Sequence, residues 1–263
     1  MAYLKKISAL GKFLYPSLLW NLPKTGNTLY LTFDDGPIPE VTPWVLALLK
    51  EYHAKATFFC IGENIVKHPG VFDQILAEGH NVGNHSFNHL NGWKTPISTY
   101  IENVEKAEEI IFEKLELRNR RQESRDRNQD FRTKKIEKRE EKRGEKKESG
   151  DKKQDFITGS KENRREAKNK NIKLFRPPYG KITPNQIKIL QGQGFKIVMW
   201  EVISGDFDLK LSPENCLNNV LKNSRPGSIV VFHDSIKASA NLQEVLPKIL
   251  EYFHQKGFGF KAI

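Results

Sequence analysis

Cysteine is scarce, with two in 263 residues. Cys60 lies in the apolar stretch ATFFCIG and Cys216 in the helix-like PENCLNNV. Two cysteines cannot by themselves build a disulfide framework or a zinc cluster, so both read as unpaired thiols. No apolar run is long enough to span a membrane. The opening stretch, MAYLKKISALGKFLYPSLLW, has early lysines, but Lys12 and Pro16 break its apolar region and no small-residue cleavage site follows. It reads as an uncleaved N-terminus and a cytoplasmic location, with a short membrane-surface anchor as the alternative. No glycine-rich dinucleotide fingerprint follows any strand-like stretch, which counts against nucleotide binding.

Positive charge is plentiful but local. The formal net charge is +11; the segment 118–170 carries 21 Lys/Arg against 12 Asp/Glu, and the rest of the chain 22 against 20. A segment so poor in apolar residues cannot bury enough surface to offset its ordering. Within it the i,i+4 pairs Glu137/Glu141, Lys138/Lys142 and Arg139/Arg143 are like-charged and disfavour an isolated helix. We read 118–170 as a charged insertion, mostly disordered, that extends the preceding helix by a few turns.

Outside that segment, strand-like and helix-like stretches alternate. TLYLTF precedes TPWVLALLKEYH, KATFFCIG precedes GVFDQILAEG, and HNVGNHS precedes the periodic STYIENVEKAEEIIFEKLEL. IKLFRPPYG, FKIVMWEV and SIVVFHD are each followed by a further helical pattern. The alternation predicts an α/β fold with a parallel sheet, either a closed or nearly closed barrel or an open doubly wound sheet. The insertion joins a helix to a strand, and in a β/α barrel such loops lie on the face opposite the active site.

Charged or metal-ligating residues follow five of these strands: Asp34 and Asp35; His85 and His89; Arg176; Glu201 and Asp206; and His233 and Asp234. In a parallel barrel all five strand ends meet on one face. His85 and His89 are spaced i,i+4, so on a helical turn they point the same way and can share a metal. Ser86 stands where a metalloprotease helix would carry a catalytic Glu, so any base must come from another strand. One aspartate of the Asp34–Asp35 pair can complete a two-His, one-Asp set while the other takes a proton from water. Arg176, in the rigid RPPYG exit, can pair with a carboxylate, and Asp206 can hold His233 protonated as a general acid. Taken singly, each motif also has a plainer reading as a turn, a cap or a hydrogen-bonded strand end.

TFDDGP, HSFNH, RPPYG, SGDF and IVVFH occur in the order found in the polysaccharide deacetylase family, also called the NodB-homology family or carbohydrate esterase family 4. The resemblance covers roughly residues 25–117 and 171–263. It implies a deformed (β/α)7-type barrel spanning 25–263, after an N-terminal segment 1–24 and interrupted by the charged insertion 118–170. It implies that Asp35, His85 and His89 bind a divalent metal, usually Zn2+, and that Asp34 is the general base. By the same resemblance the Tyr179 backbone N–H stabilises the oxyanion, His233 protonates the departing amine, Arg176 orients Asp34, and Asp206 orients and tunes His233. Family members remove acetyl groups from sugars in peptidoglycan, chitin, xylan or related polymers. This sequence departs from the family pattern at Ile203 in place of Asp, Phe207 in place of Trp and Val231 in place of Leu, changes expected to alter the acetyl-pocket wall more than the chemistry.

The resulting expectation is a metal-dependent hydrolase acting on an N-acetylated glycan, with no nucleic-acid partner, no transmembrane span and no partner identified for the insertion. The alternatives are a metal-dependent cyclic amide or ureide hydrolase, and a binding protein that engages nucleic acid or an anionic surface through the basic insertion.

Overall fold

The computed structural model describes residues 9–24, 26–144 and 173–263. Two compact units emerge, one of Met1–Phe112 with Ile172–Ile263 and the other of Glu113–Asn171.

In the first unit the strands are β1 (Thr28–Asp34), β2 (Thr57–Cys60), β3 (Asn81–Asn84), β4 (Lys173–Phe175), β5 (Phe195–Ile197), β6 (Val202–Ile203), β7 (Ile229–His233) and β8 (Gly259–Phe260). The helices are α1 (Ala9–Leu14), α2 (Thr42–Glu51), α3 (Gly62–Lys67), α4 (Pro69–Ala77), the start of α5 (Ile97–Gly144), α6 (Pro184–Gly192), α7 (Pro213–Asn223) and α8 (Ser239–Gln255). All strand pairs are parallel, in the order β5-β4-β3-β2-β1-β7-β6, with β8 beside the start of β1.

The outer strands of that order, β5 and β6, belong to one stretch of chain. Phe195–Ile197 pairs with β4, and Val202–Ile203 then pairs with β7. A single segment therefore touches both ends of the sheet, which curls it into the deformed barrel expected. The N-terminal segment set apart at residue 24 takes part in the closure. Leu19 bridges Val198, with Leu19 N donating to Ile197 O at 2.9 Å and Met199 N to Leu19 O at 2.7 Å. Leu22 N donates to Gly227 O at 2.9 Å, and a Cβ on Gly227 would lie 2.3 Å from Leu22 O, so this approach requires glycine.

Strand β1 is central and buried almost throughout, which explains its near-continuous apolar sequence. Alternation along it separates two environments. Phe33 stacks on its register partners Phe58 and Phe232, with ring centroids 5.0 and 5.8 Å apart. Thr32 and Asp34 face the other side, into the barrel, where both meet Arg176. The barrel interior is filled by Phe59, Leu174, Val198 and Ile229. A second core, including Tyr100, Val104, Phe175, Leu190 and Phe195, joins α5 and α6 to the sheet.

In the second unit α5 continues to Gly144, well beyond the few turns expected past residue 117. Glu, Lys, Arg and Gln are strong helix formers, and propagating a helix is far easier than nucleating one, so the like-charged pairs do not end it. The helix surface carries i,i+4 contacts such as Gln122 Nε2 to Asp126 Oδ1 at 2.9 Å. The expected disorder and far-face placement of residues 145–170 lie outside the described residues. Among the described residues, no helix is long and apolar enough to cross a membrane.

Candidate active site

Asp34 ends β1 inside the barrel, and its Oδ1 accepts a 2.7 Å hydrogen bond from Arg176 Nη1. Arg176 leaves β4 and is wholly buried. Its Nη1 also donates to Thr32 Oγ1 at 2.6 Å, its Nη2 to Met199 O at 3.0 Å and its Nε to Val198 O at 3.3 Å. The Phe59 ring lies 4.1 Å from the guanidinium carbon. Burial draws the Arg176 pKa down while the Asp34 carboxylate draws it back up; the group stays a cation.

At Asp35 the chain turns left-handed, with φ 84°, and the Gly36–Pro37 peptide bond that follows one residue later is cis. Adjacent carboxylates thus point to different partners. The turn is gripped from both neighbouring strands. On one side Asn64 Nδ2 donates to Asp35 O at 2.7 Å and Ile61 N to Gly36 O at 2.9 Å. On the other, Gly36 N donates to Asp234 Oδ1 at 3.0 Å, and Asp234 Oδ2 accepts from Thr42 Oγ1 at 2.6 Å. A Cβ on Gly36 would sit 2.0 Å from Asp234 Oδ2, so the carboxylate occupies the space a side chain would need.

Asp35 Oδ1 lies 3.3 Å from His89 Nε2 and 3.8 Å from His85 Nε2, and the three ligand atoms all fall within 4.8 Å of one another. Sequence spacing predicts that the two histidines converge on a helical turn. They converge instead on a loop, with Ser86 at φ 62° and His89 at φ 56°. That loop is held by side-chain amides: Asn84 Oδ1 accepts from Ser86 N at 2.8 Å, and Asn103 Oδ1 from Phe87 N at 2.8 Å and Asn88 N at 3.1 Å.

The His85 Nδ1 is 2.8 Å from Arg176 O, an acceptor, so Nδ1 carries the proton and Nε2 presents a lone pair. Burial holds the His85 pKa well below the usual histidine value, with His89 adding to the effect, and burial also lowers His89. Both rings are therefore neutral, the form that ligates metals. Asp35 Oδ1 is buried with no hydrogen-bond partner among the described residues. An orphaned carboxylate oxygen facing two imidazole lone pairs fits a divalent cation such as zinc, and so supplies a partner that the fold leaves out.

Tyr179 follows in a short 3-10 turn, with φ 60°. Gly180 N and Lys181 N donate back to Pro177 O and Pro178 O, while the Tyr179 N–H has no backbone acceptor among the described residues. Its hydroxyl lies 3.0 Å from His89 Nδ1, a link the sequence reading does not anticipate.

His233 ends β7 as the register partner of Asp34. Its Nδ1 is 2.8 Å from Asp206 Oδ1, and its backbone N donates to Asp206 Oδ2 at 2.8 Å. Asp206 is wholly buried and also accepts from Ser204 Oγ at 2.9 Å and Phe207 N at 3.0 Å. Burial alone would lower the His233 pKa; the Asp206 carboxylate overrides it, with Asp35 and Asp34 helping, and raises it to about 9. Phe207, one of the departures from the family pattern, packs edge-on against the His233 ring at 4.8 Å. Ile203 and Val231 are buried in β6 and β7.

Asp34, Asp35, His85, His89, Arg176, Tyr179, Asp206 and His233 are thus linked by these contacts around the ends of β1, β3, β4 and β7. Glu201 does not join them. It precedes β6 and pairs at the opposite end of β7, with Lys12 Nζ at 2.9 Å, Ser228 Oγ at 2.7 Å and the Arg225 guanidinium. Burial works against its charge, but those donors prevail and bring its pKa to about 2. Asp234, named with the strand-end residues but given no role, serves as the clamp on the Asp34–Gly36 turn. Replacing it with alanine (D234A) frees that turn, and titration of the metal-free chain with Zn2+ is expected to show affinity weakened by ~10–100-fold, the usual cost of losing a group that orients a ligand.

A family model described as polysaccharide deacetylase matches residues 21–121. A peptidoglycan-N-acetylglucosamine deacetylase of Bacillus cereus is 33% identical over 236 residues, which cover 89% of this chain and 66% of that protein. A second protein of the same description from the same organism is 30% identical over 247 residues, covering 93% of this chain and 90% of its relative. The crystal structure of the Bc1960 peptidoglycan N-acetylglucosamine deacetylase, in complex with 4-naphthalen-1-yl-N-oxidanyl-benzamide, superposes with a TM-score of 0.70 at 28% identity, covering 98% of this chain and 95% of that one. The chain belongs to the polysaccharide deacetylase family.

Proposed function

We propose that this protein is a metal-dependent hydrolase that removes N-acetyl groups from an amino-sugar glycan and releases acetate, with the N-acetylglucosamine residues of peptidoglycan as the leading substrate. The observation that carries the reading is the separation of the two adjacent aspartates, Asp34 on a buried arginine and Asp35 on two neutral histidines. The named relatives, all peptidoglycan-N-acetylglucosamine deacetylases, support the choice of glycan.

Asp35, His85 and His89 would hold the divalent cation, which when bound would supply Lewis acidity toward the acetamide carbonyl and toward water. Asp34, fixed through Oδ1 by Arg176, takes a proton from the attacking water as its oxygen bonds to the amide carbon. The Tyr179 N–H donates to the oxyanion that develops on the former carbonyl oxygen. With Nδ1 bonded to Asp206, His233 presents Nε2–H to the leaving nitrogen. As the carbon–nitrogen bond breaks, that nitrogen takes the proton, leaving acetate and a free amino sugar. Base and acid lie on adjacent strands in register, so one sheet fixes their separation.

Acetate release from peptidoglycan and from N-acetylglucosamine oligomers is expected with Zn2+ or Co2+, to be abolished by a chelator and restored by added metal. Release from neither glycan, with hydrolysis of a cyclic amide or ureide instead, would overturn the choice of substrate. The pH dependence has a definite sign. His233 must hold its proton to act as the acid, so kcat/KM falls as pH rises through about 9. In D206N the carboxylate that holds the proton is gone, and the alkaline limb is expected to move down by about one to three pH units.

A further inference from the structure

Trp93 is a large aromatic left 61% exposed, yet it is not loose. Its Nε1–H donates to Ile182 O at 3.1 Å and its backbone N to Asn91 Oδ1 at 3.0 Å. Thr95 Oγ1 and Lys94 N both donate to Asn91 O, at 2.8 and 3.0 Å, and close the loop behind it. Gly92 N donates to Lys181 O at 3.2 Å and Gly92 O accepts from Gln186 Nε2 at 2.9 Å. A Cβ on Gly92 would meet Lys181 O at 2.4 Å, so the two loops approach as closely as backbone allows. Lys181 Nζ sits 3.7 Å from the Trp93 ring centroid and covers part of the ring. The indole is fixed before any ligand arrives, and much of its surface faces solvent.

Its two supporting loops are those of the candidate active site. Trp93 lies four residues after the metal ligand His89, and Lys181 two residues after Tyr179, whose hydroxyl bonds His89. Held by hydrogen bonds between these two loops, the ring offers a fixed, flat apolar face beside the site, and a ligand can stack on it without first ordering the indole. A pyranose suits this one. Its axial C–H face is apolar and flat, and its rim hydroxyls suit a cationic donor such as the Lys181 ammonium.

We infer that Trp93 and Lys181 form a glycan subsite, in which the indole stacks on a sugar next to the one being deacetylated. The inference rests on the proposed deacetylase reading and adds that the enzyme prefers chains to single sugars because of this ring.

The test compares wild type, W93A and W93F. Kinetics on the N-acetylglucosamine tetramer and on the monomer are paired with calorimetric binding of the tetramer to the metal-free proteins. In W93A the ratio of tetramer to monomer kcat/KM is expected to fall about tenfold, mostly through KM, as loss of uniform binding does. Tetramer binding to the metal-free chain should weaken to match. W93F, which keeps a ring but loses the Nε1–H bond, should restore most of both and so separate stacking from loop support. An unchanged ratio with unchanged tetramer binding in W93A, or no tetramer binding by the wild type, would overturn the inference. If the wild type releases no acetate, the deacetylase reading fails, and the calorimetry alone decides the subsite.

Discussion

The site depends on one buried cation. Placing a guanidinium inside a barrel costs several kcal/mol unless its charge and its donors are all met. Arg176 meets them with the Asp34 carboxylate, the Thr32 hydroxyl, the carbonyls of Val198 and Met199, and the face of Phe59. Removing any of these leaves a desolvated charge short of a partner, so Asp34 is held as firmly as the cation requires. The same residue works through its backbone as well. Its carbonyl oxygen sets the protonated nitrogen of His85 and so aims the opposite nitrogen at Asp35. Arg176 therefore fixes the orientation of the proposed base, Asp34, with its side chain and of the proposed metal ligand His85 with its main chain.

Around that cation the fold separates two carboxylates that are adjacent in sequence. Strand pleating puts Asp34 on the barrel side with Thr32. The left-handed turn at Asp35 then swings the second carboxylate to the histidine loop. The turn holds because Asp234, from the strand that carries His233, fills the space above Gly36. The strand ends that carry the candidate site are thus tied to one another by hydrogen bonds across β2, β1 and β7, and their spacing is a property of the sheet. In a parallel barrel this is the general reason that chemistry collects at one rim.

Much of this was legible in the sequence, because strand ends in a parallel sheet bring distant motifs together whatever the local detail. The buried run TLYLTF, the order of the motifs and the residues after each strand identify the wall and most of the side chains that meet there. The misses share a different cause: they depend on backbone path and long-range hydrogen bonds. HSFNH has helical spacing, yet Asn84 and Asn103 draw its amides into a loop, which periodicity cannot reveal. Glu201 follows a strand-like stretch, but the chain there crosses from β5 to β6, so Glu201 meets the beginning of β7 and not its end. Local charge repulsion understates how far α5 runs, because a helix already nucleated needs little to continue. Asp234 carries no periodic or spacing signal. Only the missing side chain at Gly36, seen in three dimensions, explains it.

The central claim is that Asp35 holds the metal and Asp34 holds the proton. Calorimetric titration of the metal-free D34N and D35N proteins with Zn2+ tests it most directly. The account predicts that D34N binds one equivalent with near wild-type affinity while D35N loses tight binding. Loss of binding in D34N with retention in D35N would contradict it.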